Sequence, residues 1–200
     1  MQPTLLLATN NHNKVRELRE ILHALPVSLV APSDTGISVE VEETGRTYAA
    51  NARHKALSFA NTGGMVALAD DSGLEVDALG GAPGIYSARY AGEGASSAER
   101  IALLLRNLAG VPIEQRQARF VAVIAVASPD GQVHLHRGSV RGVIALSPSG
   151  NGGFGYDPVF FMPQFGCTMA ELPDDVKNRV SHRARAALRA IPHIVAMCNR

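Results

Sequence analysis

The sequence has few cysteines, no excess of either charge and no apolar run long enough to cross a membrane. Its two cysteines, Cys167 and Cys198, form neither a disulfide framework nor a paired metal-binding motif. The 19 basic and 18 acidic side chains nearly cancel, which gives no reason to expect a nucleic acid or a membrane surface as partner. The longest apolar run, Phe120 to Ala127, is too short for a membrane helix, and no signal-like segment opens the chain. We therefore expect a cytoplasmic protein with one sizeable domain, or one domain with a small subdomain.

The most informative stretch is Ala69-Asp70-Asp71-Ser72-Gly73, which follows the apolar run Met65 to Leu68. The apolar run predicts a buried strand, and an open α/β sheet binds its ligands at the carboxyl ends of such strands. Two adjacent carboxylates repel each other, and burying them is costly unless they are paired or hold a cation. The alternative is an Asx-turn, in which both side chains accept hydrogen bonds from nearby backbone amides.

A strand, a polar loop and a helix open the chain. Thr4 to Ala8 predicts a buried strand, and apolar residues from Val15 to Leu25 follow helical spacing. The loop between them is Thr9-Asn10-Asn11-His12-Asn13-Lys14. Free amides at the helix start and the charge of Lys14 would attract phosphate, although the glycine-lysine-serine spacing of a Walker loop is absent. The alternative is an ordinary helix cap followed by a surface lysine.

An acidic segment, Glu40 to Gly45, precedes a helix predicted from Thr47 to Ala60. Its carboxylates are either solvated charges on an edge strand or include a ligand for a metal. The helix carries Lys55 on the flank of its apolar face, where such a residue is usually solvated.

The second half predicts a helix and a long hairpin. A capping-box pattern precedes an apolar stripe from Ile101 to Leu108. Two β-rich runs, Arg119 to Ala127 and Gln132 to Leu146, flank a Ser-Pro-Asp-Gly turn. His134 and His136 share a face of the second run, but the sequence shows no third ligand, and so it does not predict a zinc site.

Glycines surround Phe154 in the stretch Ser149 to Pro158. They let the backbone present the ring to a flat ligand, which we favour over packing of the ring in the core. Further on, Ser181 is a candidate N-cap for a final helix whose start carries His182 and Arg183. The arginines of that helix could also form no more than a solvated face.

Six short motifs occur in one order along the chain. They are Thr9-x-Asn11-x-x-Lys14, Glu42-Glu43-Thr44-Gly45, Asp70-Asp71-Ser72-Gly73-Leu74, Gly80-Gly81-x-Pro83-Gly84, Gly152-Gly153-Phe154-Gly155-Tyr156-Asp157-Pro158 and Ser181-His182-Arg183. The set resembles the bacterial branch of the inosine/xanthosine triphosphate pyrophosphatase family, from Thr4 to the last helix. The chain departs from the family at Asn10, where relatives often carry glycine. Asparagine also tolerates the positive φ that glycine provides.

The resemblance implies an α/β fold in which helices flank a long mixed β-sheet, with two lobes and a central active-site cleft. Residues 1–200 would form a single nucleoside triphosphate pyrophosphatase domain. It also implies a Mg²⁺-dependent homodimeric enzyme that hydrolyses ITP, dITP and XTP to the monophosphate and pyrophosphate, and so keeps them out of DNA and RNA. No nucleic acid or membrane partner is implied. The alternatives are a pyrophosphatase for other modified-base triphosphates and a non-catalytic nucleotide-binding module.

The resemblance further assigns roles to residues. Asp71 would be the general base and a magnesium ligand, with Glu43 preferred over Glu42 as the second ligand and Asp70 as support. The residues implied to bind substrate are Thr9, Asn10, Asn11, His12, Asn13, Lys14, Lys55, Ser72, Phe154, Gly155, Tyr156, Asp157, Lys177, His182 and Arg183. Phe154 would stack on the purine, while His182 and Arg183 would donate hydrogen bonds to its 6-oxo oxygen. Adenine presents a donor at that position and would leave the donors of the site unpaired.

Overall fold

The computed structural model describes residues 2–199, in which seven strands form one mixed β-sheet accompanied by helices. The strands are β1 (Thr4–Leu7), β2 (Ser28–Val30), β3 (Ala67–Val76), β4 (Gln117–Ala127), β5 (Val133–Ile144), β6 (Phe160–Met162) and β7 (Cys167–Thr168). The helices are α1 (His12–Leu22), α2 (Pro32–Thr35), α3 (Tyr48–Gly63), α4 (Ser97–Asn107), α5 (Asp174–Val180) and α6 (His182–Cys198). The sheet order is β2-β1-β3-β4-β5-β6-β7. Strand β1 pairs in parallel with β2 and β3, whereas β6 pairs antiparallel with β5 and β7, which confirms the predicted mixed α/β sheet.

The chain forms two compact units. The first unit comprises the chain up to Asp71, Ala122–Gly138 and the chain from His182 onward, and the second comprises Ser72–Val121 and Ser139–Ser181. Strands β3, β4 and β5 each pass from one unit into the other. That both units act as one pyrophosphatase domain stays a prediction. Among residues 2–199, no helix combines the length and the apolar character that crossing a membrane requires.

The first unit is built around the apolar side chains of β1, α1 and α6. The helical stripe predicted after the opening loop is confirmed, since Leu18 is fully buried and Leu22 nearly so. The apolar face predicted for the helix that includes Lys55 is confirmed as well, because Ala52 and Phe59 of α3 are buried. Thr47 caps that helix by accepting a hydrogen bond from the amide of Ala50 at 3.1 Å.

The second unit has its own core, in which the rings of Phe120 and Phe160 lie 4.5 Å apart between centroids. The predicted capping box of α4 is present, since Ser96 and Glu99 exchange side-chain to backbone hydrogen bonds. The two predicted hairpin strands are neighbours in the sheet. Neither Cys167 nor Cys198 forms a disulfide, as the sequence predicted.

Strand β3 differs from its prediction. It runs through Asp70 and Asp71 to Val76, so the two acids lie within the strand and the Asx-turn alternative is wrong. The parallel pairing of β1 with β3 nevertheless ends at the Leu7 and Leu68 pair. The acids therefore lie just beyond the end of the parallel pairing, where β3 continues without β1 beside it.

Two other regions also differ from expectation. The acidic segment is not an edge strand, because residues 37–46 contain neither helix nor strand. The sequence reading missed α5, a short helix that carries Lys177. Within the part of the chain that the structure describes, every residue with a positive φ is a glycine, so Asn10 does not adopt the positive φ that asparagine tolerates.

Candidate active site

Asp70 forms the centre of a buried charge cluster in the first unit. Its Oδ2 accepts hydrogen bonds from Nε and Nη2 of Arg183 at 2.9 and 2.8 Å, and Lys14 Nζ lies 3.1 Å from the same oxygen. A second carboxylate, Glu17, accepts a hydrogen bond from Nη1 of Arg183. Burial alone would raise the pKa of Asp70, but the adjacent Arg183 and Lys14 charges hold that pKa well below its usual range. Asp70 is therefore a permanent anion that anchors two cations.

Asp71 belongs to a second cluster, which is organised around Lys55. Lys55 Nζ lies 2.6 Å from Oε1 of Glu43 and 3.4 Å from Oδ1 of Asp71. It also donates to the backbone carbonyl of Asp70 at 3.1 Å. Burial raises the pKa of Asp71 and the charge of Glu43 raises it further, whereas Lys55 opposes the shift. A carboxylate with a raised pKa accepts a proton more readily than an ordinary aspartate.

The opening loop has a helix cap and a lysine that faces inward. Asn11 Oδ1 accepts hydrogen bonds from the amides of Asn13 and Lys14 at 3.0 and 3.3 Å, so the N-cap alternative is confirmed and these two amides are not free. The notion of Lys14 as a surface lysine is wrong, because its ammonium group pairs with Asp70. Burial lowers the pKa of Lys14 while Asp70 acts against that change. An anion at this loop would bind chiefly through side chains.

In the second unit, the glycine-rich stretch holds Phe154 over a buried ion pair. Asp157 Oδ2 accepts hydrogen bonds from the amide of Phe154 at 2.9 Å and from Lys177 Nζ at 2.6 Å. The lysine nitrogen lies 5.3 Å from the centroid of the Phe154 ring. Gly153 has a φ of +66°, and a Cβ there would lie 2.1 Å from Asp157 Oδ2, so only glycine fits.

A groove of about 720 Å³ runs beside this ring. Its walls are Phe154, the neighbouring glycines, two prolines and one side of α4. The ring is half-buried and takes part in this surface, unlike the fully buried Phe160. The arrangement supports the interpretation that Phe154 faces a ligand rather than the core.

The remaining predicted residues fall into different surroundings. Asn10, His12, Asn13 and Glu42 are exposed; Thr9, Ser72 and Gly155 are half-buried; His182 is buried. Tyr156 is a core residue whose hydroxyl donates to the carbonyl of Ser87 at 2.9 Å, and burial raises its pKa. Because Glu43 faces Lys55 and Asp71 while Glu42 is exposed, the geometry supports the preference for Glu43.

Sequence reasoning missed two residues of these clusters. Glu17 lies three positions after Lys14 and Asn51 lies four positions before Lys55, so each shares a helix face with a predicted lysine. That spacing was a usable signal. Asn51 is 3 % exposed, and its Nδ2 donates to Asp71 Oδ2 at 3.1 Å.

The donor set of Asp71 and Glu43 fits a magnesium ion. Both carboxylates contact Lys55 Nζ, so their oxygens are separated by no more than the sum of those two distances. Among residues 2–199, no set of three or more acidic, histidine or cysteine side chains could hold a metal. Mg²⁺ nevertheless suits a pair of carboxylates, because it usually keeps water ligands and binds substrate phosphates as well.

Comparison with known proteins gives concordant matches along the chain. The model of the Ham1 family matches residues 5–193. The dITP/XTP pyrophosphatase of Geobacter sulfurreducens is 53 % identical over 182 residues, which cover 91 % of this chain and 92 % of that protein. The dITP/XTP pyrophosphatase of Desulforamulus reducens is 51 % identical over 187 residues, which cover 94 % and 93 % of the two chains.

Solved structures agree with these matches. A HAM1 protein from Coxiella burnetii superposes with a TM-score of 0.86 at 38 % identity, and the match covers 97 % of this chain and 99 % of that one. The Ham1 protein of Staphylococcus aureus gives a TM-score of 0.84 at 38 % identity, with 96 % and 98 % covered. The α/β architecture is therefore shared along nearly the whole length of each chain.

Proposed function

The chain belongs to the Ham1 family, and on that premise we propose that it hydrolyses deaminated purine nucleoside triphosphates to the monophosphate and pyrophosphate. The relatives named dITP/XTP pyrophosphatase support dITP and XTP as substrates, and ITP shares the same 6-oxo purine chemistry. Removal of such nucleotides would prevent their incorporation into DNA and RNA.

One observation carries the proposal, namely that Lys55 pairs with both Glu43 and Asp71 beside the cluster of Lys14 and Asp70. Carboxylates and lysines gathered in this way suit a cation and a polyphosphate that bind together. A module that only bound nucleotide would need no buried carboxylate with a raised pKa at this position.

In the proposed reaction Asp71 acts as the general base. It orients a water molecule and takes its proton as the water oxygen forms a bond to the α-phosphorus. The bond from that phosphorus to the bridging oxygen breaks, and pyrophosphate leaves. Lys14, together with Thr9 and Asn11, holds phosphate oxygens, and Asp70 fixes the position of the Lys14 ammonium group.

Mg²⁺ is the proposed cofactor, with Asp71 and Glu43 as its protein ligands. When bound, it supplies Lewis-acid stabilisation of the negative charge that develops on the phosphate oxygens. Lys55 pairs with both carboxylates, which raise its pKa although burial alone would lower it. It therefore remains a cation that limits the repulsion between the two acids.

For the purine base we propose the groove beside Phe154, where the ring offers a stacking surface. Lys177 is held against that ring by Asp157, so its role as a phosphate contact stays a prediction. The reading of the 6-oxo oxygen by His182 and Arg183 also stays a prediction, because Nε, Nη1 and Nη2 of Arg183 already donate to Asp70 and Glu17. A homodimer is part of the same proposal.

The test is release of pyrophosphate from ITP, XTP, GTP and ATP in the presence of Mg²⁺. We expect turnover of ITP and XTP, and turnover of ATP lower by several orders of magnitude, since each unsatisfied buried donor costs about 1–3 kcal/mol. Equal turnover of ATP and ITP would contradict selection by the 6-oxo group.

The control for the chemistry is Asp71→Asn, which keeps the shape of the side chain but cannot accept the proton. We expect kcat to fall by about 10²–10⁴-fold, the usual contribution of general base catalysis, with the fold retained in circular dichroism. Near-normal turnover by this variant would show that another group acts as the base.

A further inference from the structure

The side chain of Asn51 joins two parts of the first unit that carry the proposed magnesium ligands. Its Nδ2 donates to Oδ2 of Asp71 at 3.1 Å, while its Oδ1 accepts a hydrogen bond from the amide of Gly45 at 2.8 Å. Asp71 lies on strand β3, and Gly45 lies two residues after Glu43. One buried amide group therefore contacts both the strand and the acidic segment.

Gly45 is required for this contact by space and not by backbone conformation, since it is not among the glycines with a positive φ. A Cβ at this position would lie 2.4 Å from Asn51 Oδ1 and 3.0 Å from the Cβ of Ala50. Any larger residue would displace the Asn51 amide group or the segment, and either shift would disturb their hydrogen bond. The contact with Asn51 therefore explains why the Glu-Glu-Thr-Gly motif ends in glycine.

The acidic segment is not held by regular secondary structure. Residues 37–46 contain neither helix nor strand, so no ladder of backbone hydrogen bonds fixes Glu43. The contact of Lys55 with Glu43 is an ion pair on a long side chain, whereas Asn51 is short and 3 % exposed. Asn51 and Lys55 lie one turn apart on α3, and each binds a different oxygen of Asp71.

We propose that Asn51 is a positioning residue, which sets the orientation of the Asp71 carboxylate and holds the Glu43 segment at the distance that one cation can bridge. This inference rests on the proposed function for its kinetic part. Its structural part, the attachment of the segment to α3 through Gly45, holds independently of any reaction. Neutral groups that orient metal ligands are typically worth 10–100-fold in metal affinity or activity.

Two variants test the inference, and each changes one partner of the contact between Asn51 and Gly45. Asn51→Leu is similar in size and removes both hydrogen bonds, whereas Gly45→Ala keeps the Asn51 side chain but removes the space in which it contacts residue 45. Phe59→Leu is the matched control, because Phe59 is buried on the same helix and takes no part in either cluster. Each variant is compared with the wild type by hydrogen exchange, by calorimetric titration with Mg²⁺ and by ITP turnover.

The exchange measurement needs no substrate or metal. We expect the Gly45 amide to exchange about fivefold to tenfold faster in Asn51→Leu, in line with the loss of one hydrogen bond, and unchanged in Phe59→Leu. In the titration and the kinetics, both test variants should bind Mg²⁺ about 10–100-fold more weakly and lose kcat by a similar factor, with KM for ITP little changed.

Three results would overturn the inference. The first is unchanged exchange of the residue 45 amide in both variants. The second is faster exchange with normal Mg²⁺ affinity and kcat, and the third is an equal loss of Mg²⁺ affinity and kcat in Phe59→Leu. A wild type that leaves ITP intact would instead contradict the proposed function. In that case exchange at Gly45 and Mg²⁺ affinity would still decide whether Asn51 holds the segment.

Discussion

The guanidinium group of Arg183 is buried between two carboxylates in the first unit. Arg183 is 2 % exposed and holds Asp70 through two nitrogens and Glu17 through the third. Burial would lower the pKa of Arg183, but the two adjacent carboxylates raise it. Since Asp70 is committed to Arg183 and Lys14, its neighbour Asp71 is the carboxylate left for a cation or a proton.

We predict that Glu17→Gln destabilises the protein by about 3 kcal/mol, because removal of one partner leaves the Arg183 charge buried and only partly compensated. Urea unfolding followed by circular dichroism measures the change. Glu20→Gln on the same helix is the control, since Glu20 is exposed and such a substitution usually changes stability by less than about 0.5 kcal/mol. Equal midpoints for Glu17→Gln and the wild type would show that the pair contributes nothing net.

The sequence could predict the types of residue in these clusters but not every partner. Asp71 and Glu43 were identified through motifs and Lys55 through the family resemblance, and the structure brings their side chains together. The bond between Arg183 and Asp70 joins residues 113 positions apart, so no local pattern reveals it. Glu17 and Asn51 were missed because each looks like an ordinary polar residue on an amphipathic helix.

At the scale of elements, α6 lies unusually close to β5 in the first unit. A Cβ on Gly138 would lie 2.1 Å from the carbonyl oxygen of His182, so the strand and the helix start can meet only at a glycine. The same helix brings His193 against the two histidines of β5, with ring centroids 3.9 Å from His134 and 4.9 Å from His136. The sequence showed the pair on one strand face but could not show the third ring.

This cluster should make the stability of the protein sensitive to pH. Burial and the neighbouring rings of His193 and His134 lower the pKa of His136 from its ordinary 6.5. The unfolded chain therefore binds a proton at a higher pH than the folded chain, and stability falls as the pH drops through about 6.5 and below. Thermal unfolding at about pH 7.5 and about pH 5.5 measures this difference.

In His136→Gln we expect the drop in Tm between these two pH values to be smaller than in the wild type. His54→Gln, at an exposed position on α3, should leave the wild-type drop unchanged. A drop of the same size in wild type and His136→Gln would mean that other groups cause the acid sensitivity.

Helices and strands could be predicted where the apolar residues follow one regular spacing, and less well where charged residues interrupt that spacing. Helices α1, α3 and α4 bury the apolar faces that their spacing predicts. Strand β3 was predicted to end at the acids, because a pattern of apolar residues cannot show that cations supplied by α1, α3 and α6 neutralise Asp70 and Asp71 inside the strand. The apolar pattern also failed to predict α5, which is only seven residues long.

The family of this chain and its mixed sheet could be predicted from the order of the motifs. The affinity of the protein for each nucleotide could not. The chain lacks any strongly basic or acidic excess, so electrostatic attraction by net charge cannot select a nucleotide. Selection must come from local groups that contact the base and the phosphates. Binding that depends on such groups stabilises the folded state in proportion to its affinity for each nucleotide.

We therefore predict that a non-hydrolysable ITP analogue with Mg²⁺ raises Tm and that the matching ATP analogue raises it far less. At a concentration of about 100 times its Kd, a ligand adds about 2.7 kcal/mol, which corresponds to roughly 5–11 °C for a chain of this size. Scanning calorimetry with each analogue, with and without EDTA, separates the contribution of the metal from that of the base. Because the triphosphate and Mg²⁺ bind together in this scheme, EDTA should remove most of the shift. Equal shifts for both analogues would mean that the protein recognises the triphosphate alone and that any discrimination between bases arises in the chemical step.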